Sequence, residues 1–169
     1  MKRRHFLQGF SAVLAGIGIA GADRVWASRN GVFPVRRTPG QWQAMLSPQA
    51  YAVLFEEATE RPASSPLNAE KRDGSYLCAA CNQPLFDSKA KYESGTGWPS
   101  FWEPLAGALG TRTDYKMLLP RTEYHCARCG GHHGHVFDDG PRPTGKRYCN
   151  NGVALKFVPR NEKLPEMLS

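Results

Sequence analysis

An antiparallel β domain fronted by short helices is the fold class that this sequence predicts, and three features of the chain predict it. Helical periodicity is confined to the stretch from Thr38 to Ala58, and the segments after Asn68 are short, β-prone and cut by Gly, Pro or Asp. Two C-x2-C pairs add a metal staple for a β core that would otherwise be thin. At 169 residues, 41% hydrophobic and 22% charged, the chain fits one globular domain and excludes disordered and fibrous classes.

The N-terminus stands apart from that domain. Lys2, Arg3 and Arg4 lead into an apolar run of small residues from Phe10 to Ala22, and Val25 and Ala27 flank Trp26, so residues 1–27 are expected to be a signal peptide cut after Ala27. The run falls short of the roughly 20 apolar residues of a bilayer span, so no stable membrane anchor is expected, a retained anchor being the alternative. Arg3-Arg4 ahead of Phe6-Leu7 resembles the twin-arginine export signal, a route for folded, cofactor-loaded proteins, which puts the expected destination in a bacterial periplasm. Cleavage would remove four basic residues and one acid, lowering the formal charge from +7. With no basic run left, nucleic-acid binding is not expected.

Residues 28–37 have no periodicity and are expected to be a flexible lead-in to a domain over 38–169. Thr38-Pro39-Gly40-Gln41 carries a capping-box pattern that opens a short helix to about Leu46. Ser47-Pro48 opens a second, with Tyr51, Leu54, Phe55 and Ala58 at helical spacing for one apolar face. The Pro- and Ser-rich stretch 61–68 reads as a loop. Strands are expected around Ser75–Cys78, Asp114–Leu119, Thr122–Cys126 and Val153–Val158, the last alternating as a half-buried strand does.

Cys78, Cys81, Cys126 and Cys129 form the two C-x2-C pairs, whose tight turns would aim four thiolates at one tetrahedral Zn2+. Asn82 and Gly130, just after each pair, suit the left-handed backbone of such turns. The competing reading is two strained disulfides. Four protein ligands leave no open position for substrate, so the ion is expected to be structural. Cys149 is left over. It is either a small buried hydrophobe or, with Arg147 two residues earlier, a thiol favoured as thiolate. His132, His133 and His135, set among glycines, are open between a second metal site, exposed loop residues and a general acid. In Ser94-Gly-Thr-Gly-Trp98, paired glycines would let the indole cover a pocket for a sulfur-bearing methyl, or simply form a tight turn with a core Trp.

Taken together, Cys-x2-Cys, SGTGWPSF, the second Cys-x2-Cys with its following Gly-His block, and Arg-Tyr-Cys-x-Asn resemble the B-type peptide methionine-R-sulfoxide reductases over roughly Thr38–Pro159. The resemblance implies two antiparallel β-sheets with one structural zinc opposite the reaction site. It implies Cys149 as the nucleophile, a cysteine sulfenic acid intermediate, and His135 and His132 as paired histidines, His135 being the proton donor or water-orienting group. Asn151 matches an active-site asparagine, Trp98 the residue against the substrate methyl, and Asp139 and Arg147 a supporting polar shell. His133 falls where the family has an apolar residue and takes no role. Thr96 stands where many members carry a resolving cysteine, so a thioredoxin-like protein or a small thiol is the expected reductant. Oxidised proteins or peptides bearing methionine-R-sulfoxide are the expected substrates, and monomer the default. Two other classes remain open: a zinc-stapled binding module without catalysis and a thiol–disulfide oxidoreductase.

Overall fold

The computed structural model describes residues 32–116 and 118–169, so the signal peptide expected over residues 1–27 lies outside the described residues. Among those residues no helix is long and apolar enough to cross a membrane. Of the expected lead-in, residues 32–37 are described, and Val35 there is buried, its N–H donating to the Arg128 carbonyl at 2.9 Å.

Helix α1 (Pro39–Met45) starts at Thr38, whose hydroxyl accepts from Gln41 N while the Gln41 side chain accepts from Thr38 N, closing the expected capping box. Helix α2 (Pro48–Glu56) is capped by Ser47 and buries Ala50, Tyr51, Val53, Leu54 and Phe55. Ala58, expected on that apolar face, lies beyond the helix and is exposed, because Glu57 turns into the left-handed region at φ 56° and ends it.

Nine strands follow among the described residues. Gly74–Cys78 (β1), Pro84–Asp87 (β2) and Leu155–Pro159 (β9) form a three-stranded sheet in the order β2-β1-β9. The second sheet has six strands: Lys91–Tyr92 (β3), Ser100–Phe101 (β4), Leu109–Asp114 (β5), Arg121–Cys126 (β6), His132–Phe137 (β7) and Arg147–Asn150 (β8), ordered β3-β4-β8-β7-β6-β5. Every recorded pairing is antiparallel. Buried aromatic rings join the two layers: Phe86 of β2 stacks on Phe101 of β4 with centroids 4.1 Å apart, and Tyr76 of β1 meets the same ring edge-on at 4.9 Å.

Two strands depart from expectation. The strand expected over Asp114–Leu119 ends where it was to begin, because the Asp114 carboxylate accepts from Lys116 N at 2.8 Å and bends the chain away, leaving Leu118 and Leu119 exposed. The strand expected from Val153 starts at Leu155, since Gly152–Ala154 forms a 3-10 turn whose first N–H groups donate to the buried Glu60 carboxylate at 2.6 and 2.9 Å.

Candidate active site

The four paired cysteines meet at the seam between the sheets. Cys78 closes β1 in one sheet and Cys126 closes β6 in the other, each followed by a turn that returns its partner Cys81 or Cys129. The two turns are built alike: Asn82 N donates to the Cys78 carbonyl and Gly130 N to that of Cys126, at 3.0 and 2.9 Å. Asn82 and Gly130 hold φ of 61° and 72°, the left-handed backbone expected of them. All four sulfurs are buried and within 4.8 Å of one another, with Cys78–Cys129 at 3.7 Å and Cys81–Cys126 at 3.5 Å. Disulfide sulfurs would be about 2.05 Å apart. Thiolates around a tetrahedral ion at about 2.3 Å would be roughly 3.8 Å apart. The residues therefore fit a metal-binding tetrathiolate rather than two disulfides.

Cys149 belongs to a different feature. In an antiparallel sheet, directly paired residues point to the same face. Tyr92, Ser100, Cys149, His135, Glu123 and Arg112 are successive partners across β3, β4, β8, β7, β6 and β5, so one polar row crosses the whole six-stranded sheet. His135 thus sits directly opposite Cys149.

His132 and His135 are an odd number of residues apart, and a regular strand would send them to opposite faces. The register explains why it does not: Tyr124 pairs with Gly134 and His125 with His132, so His133 is an extra residue bulged out of the ladder. The bulge turns His133 into the core, where it is fully buried and stacks parallel to Tyr124 with centroids 6.5 Å apart. It also returns His132 to the polar face, its ring 5.5 Å from that of His135.

A cleft of about 140 Å³ holds the thiol, with Trp98 and Phe137 as aromatic walls and His135 and Asn151 beside Cys149. Trp98 is fixed by its indole N–H, which donates to the Glu60 carbonyl at 3.3 Å. Gly97 before it has φ 90°, and a Cβ there would come within 2.9 Å of Pro62, so only glycine lets this turn pack on the neighbouring loop. Asn151 uses its amide on backbone, accepting from Glu60 N and donating to the His133 carbonyl, each at 3.0 Å. It braces the wall of the cleft. Arg147 makes a two-pronged ion pair with Asp139, both contacts 2.8 Å, and covers the Phe137 ring at 4.3 Å. His132 does not line this cleft; with His135 it lines a neighbouring charged cavity of about 430 Å³.

Burial pushes the Cys149 thiol above its ordinary range, opposed by the Arg147 charge and by hydrogen bonds from Thr96 and Arg147. Burial holds the His135 imidazole below 6.5, partly offset by a 2.7 Å hydrogen bond from Nε2 to Asp114. Because that carboxylate can only accept, Nε2 carries the hydrogen, and Nδ1 can donate only when the ring is protonated. Burial also raises the Glu123 carboxyl, but hydrogen bonds from His125 and His132 and the charges of His132 and Arg112 outweigh it and bring it to about 2.

Three acids that organise this region gave no local signal in the sequence. Glu60 ties Trp98 and Asn151 to the 3-10 turn, Glu123 holds His132 at 2.8 Å, and Asp114 holds His135. Each meets its partner only through strand pairing or a long loop. The alternation of charged and titratable residues, Arg112 and Asp114 on β5 and Arg121, Glu123 and His125 on β6, was the one available hint.

Two packed antiparallel sheets, a four-cysteine knot at their seam and a separate cleft around one accessible thiol define a single-thiol β domain. The chain belongs to the SelR domain family, whose model matches residues 46–159. It is 52% identical over 127 residues to the peptide methionine sulfoxide reductase MsrB of Pseudomonas fluorescens, covering 75% of this chain and 98% of that one. Proteins of the same name from Thiobacillus denitrificans and Methanosarcina barkeri are 51% and 47% identical, over 74% and 76% of this chain and 96% and 91% of theirs.

Proposed function

We propose that this protein reduces methionine-R-sulfoxide in proteins and peptides to methionine, with Cys149 as nucleophile. The observation that carries the reading is the half-buried Cys149 directly opposite His135 in a cleft walled by Trp98 and Phe137. The aromatic walls suit a thioether-like methyl. The Cys149 thiolate attacks the sulfoxide sulfur, the oxygen passes to Cys149 as a sulfenic acid with uptake of one proton, and methionine leaves. Protonated His135 supplies or orients that proton through Nδ1, while Asp114 fixes the ring. An external thiol, thioredoxin-like or small, then condenses with the sulfenic acid, releasing water, and a second thiol frees Cys149. Thr96 leaves no nearby fifth partner thiol for an internal disulfide, because Cys78, Cys81, Cys126 and Cys129 are committed to one another.

In this reading those four cysteines hold one structural Zn2+, whose bound form would join the two sheets and take no part in the reaction. Zinc content near one ion per chain, lost on chelation together with stability, is the expected measurement. Export by a twin-arginine signal to the periplasm completes the proposal. Fusion of residues 1–27 to a reporter is expected to give transport that stops when Arg3 and Arg4 become lysine.

The deciding assay offers the protein and dithiothreitol the separated R and S sulfoxides of a blocked methionine. R-selective turnover that vanishes in Cys149→Ser is expected; equal use of both isomers, or turnover that survives the substitution, overturns the reading.

A further inference from the structure

The cleft around Cys149, at about 140 Å³, is smaller than the roughly 300–1,000 Å³ of ordinary ligand sites, room for one side chain rather than for a polypeptide. It does not stand alone. Thr59, Arg121 and His135 line both this cleft and the neighbouring cavity of about 430 Å³, so the two adjoin along a common wall. A residue next to a methionine sulfoxide held at Cys149 has that cavity beside it.

The cavity is built from opposite charges in equal number. Arg112, Lys116 and Arg121 supply three cations, and Glu57, Asp114 and Glu123 supply three carboxylates. Each is engaged: Glu57 pairs with both Arg112 and Lys116, Arg112 also reaches Glu123 at 2.6 Å, and Arg121 holds Asp114 at 2.7 Å. The histidines are held as well, His132 by Glu123 at 2.8 Å and His135 by Asp114 at 2.7 Å. Glu57 is the left-handed residue that ends α2, and Lys116 follows β5 after the bend at Asp114, so their ion pair joins two separate elements along the cavity. A charged residue entering here finds no idle counterion. It has to draw one away from an existing partner, whereas a neutral residue leaves every pair in place.

We infer that this cavity is the subsite for the residue adjoining methionine sulfoxide in a polypeptide substrate, and that its balanced pairs, Glu57–Lys116 above all, select neutral residues there over charged ones. This rests on the reduction at Cys149 proposed above and names which sequences it serves. Glu57 and Lys116 line the cavity and not the cleft, so they set preference apart from the reacting sulfur. Removing one charge upsets the balance in a chosen direction. Glu57→Gln leaves three cations against two carboxylates, and Lys116→Gln leaves two against three.

The test offers the full chain methionine-R-sulfoxide peptides with alanine, lysine or glutamate just before, just after or five positions from the sulfoxide. Binding is read by fluorescence anisotropy in the Cys149→Ser background, and turnover with dithiothreitol and Cys149 intact. Without further substitution, alanine is expected to bind best at one adjoining position, with lysine and glutamate weaker by about threefold. Glu57→Gln should shift that position toward glutamate by about fivefold and Lys116→Gln toward lysine by about fivefold, the worth of one charge pair near 4 Å in water. Raising the salt should shrink both shifts. A blocked single methionine sulfoxide, having no adjoining residue, should be reduced equally by wild type and both variants.

Shifts in the same direction from both variants, no shift in either, an equal response five positions away, or an equal change on the blocked methionine overturns the subsite. Absence of all turnover would sink the proposed reaction while binding still decides the subsite. Normal turnover with binding indifferent to neighbouring charge sinks the subsite alone.

Discussion

At the seam between the sheets four thiols are at most 2% exposed and face one another at 3.5–3.7 Å; on β8 Cys149 is half-buried and faces an arginine, a threonine and a histidine. Both settings draw on the six-stranded sheet, Cys126 closing β6 and Cys149 lying on β8, while Cys78 reaches the first from β1. In the first, each sulfur has other sulfurs as neighbours, which suits a shared cation and excludes substrate. In the second, the sulfur has an open cleft and fixed donors, which suits attack on something brought in. Cysteine chemistry is thus divided by neighbours and access, with the strands serving both.

Substituting one cysteine from each setting gives the largest expected effects. Cys149→Ser should lower sulfoxide reduction by about a thousandfold or more, the scale of losing a nucleophile, and leave zinc content and melting temperature near wild type. A variant that also loses metal would show the two settings to be coupled. Cys126→Ser should do the reverse in kind. Structural zinc supplies on the order of 10–16 kcal/mol in isolated modules, so a loss on the order of 5 kcal/mol or outright failure to fold is expected, seen by denaturant titration with metal analysis.

The next effect sharpens the cleft side. The proposed reaction needs thiolate at Cys149, raised above 9.0, and imidazolium at His135, held below 6.5. The fraction carrying both forms is constant between those two values and falls outside them. The second-order rate for sulfoxide reduction should therefore be flat across neutral pH. His135→Gln should cost about 10²–10⁴-fold and replace the plateau and its alkaline-side fall with a single rise that follows the thiolate; a single sigmoid rising with pH in wild type would discard His135 as the acid.

The smallest effect lies between the two settings, at His133. Its ring is fully buried, both ring nitrogens lack a partner among the described residues, and burial lowers it from 6.5 to about 4. Unfolded chain takes up the proton first, so stability is complete above pH 6.5 and falls as pH drops toward 4, by about 3 kcal/mol. His133→Leu should flatten that decline in urea titrations, with activity kept. The Glu123 carboxylate, lowered from 4.5 to about 2, contributes stability above pH 4.5 that is lost only at stronger acidity, and both variants should share that loss.

What could be read from the chain follows from how local each device is. The capping box at Thr38 and both cysteine turns are short-range arrangements, and spacing alone specified them. The polar row is not local: Glu123, His135 and Cys149 lie on three strands and become neighbours only through register. The strand expected at Asp114–Leu119 followed hydrophobicity, yet edge strand β5 alternates half-buried and exposed polar residues while Leu118 and Leu119 lie outside it. His132 and His135 were paired by resemblance, but strand alternation alone would have separated them.

That last point reaches beyond the histidines. A strand keeps count in twos, and the bulge at His133 inserts an odd step between the Cys126–Cys129 turn and the cleft. Either side can then be in phase with its own surroundings. What position 133 has to supply is a place in the count more than an imidazole, so deleting that one residue should be far more disruptive than exchanging its side chain, throwing either the cysteine turn or His135 onto the wrong face.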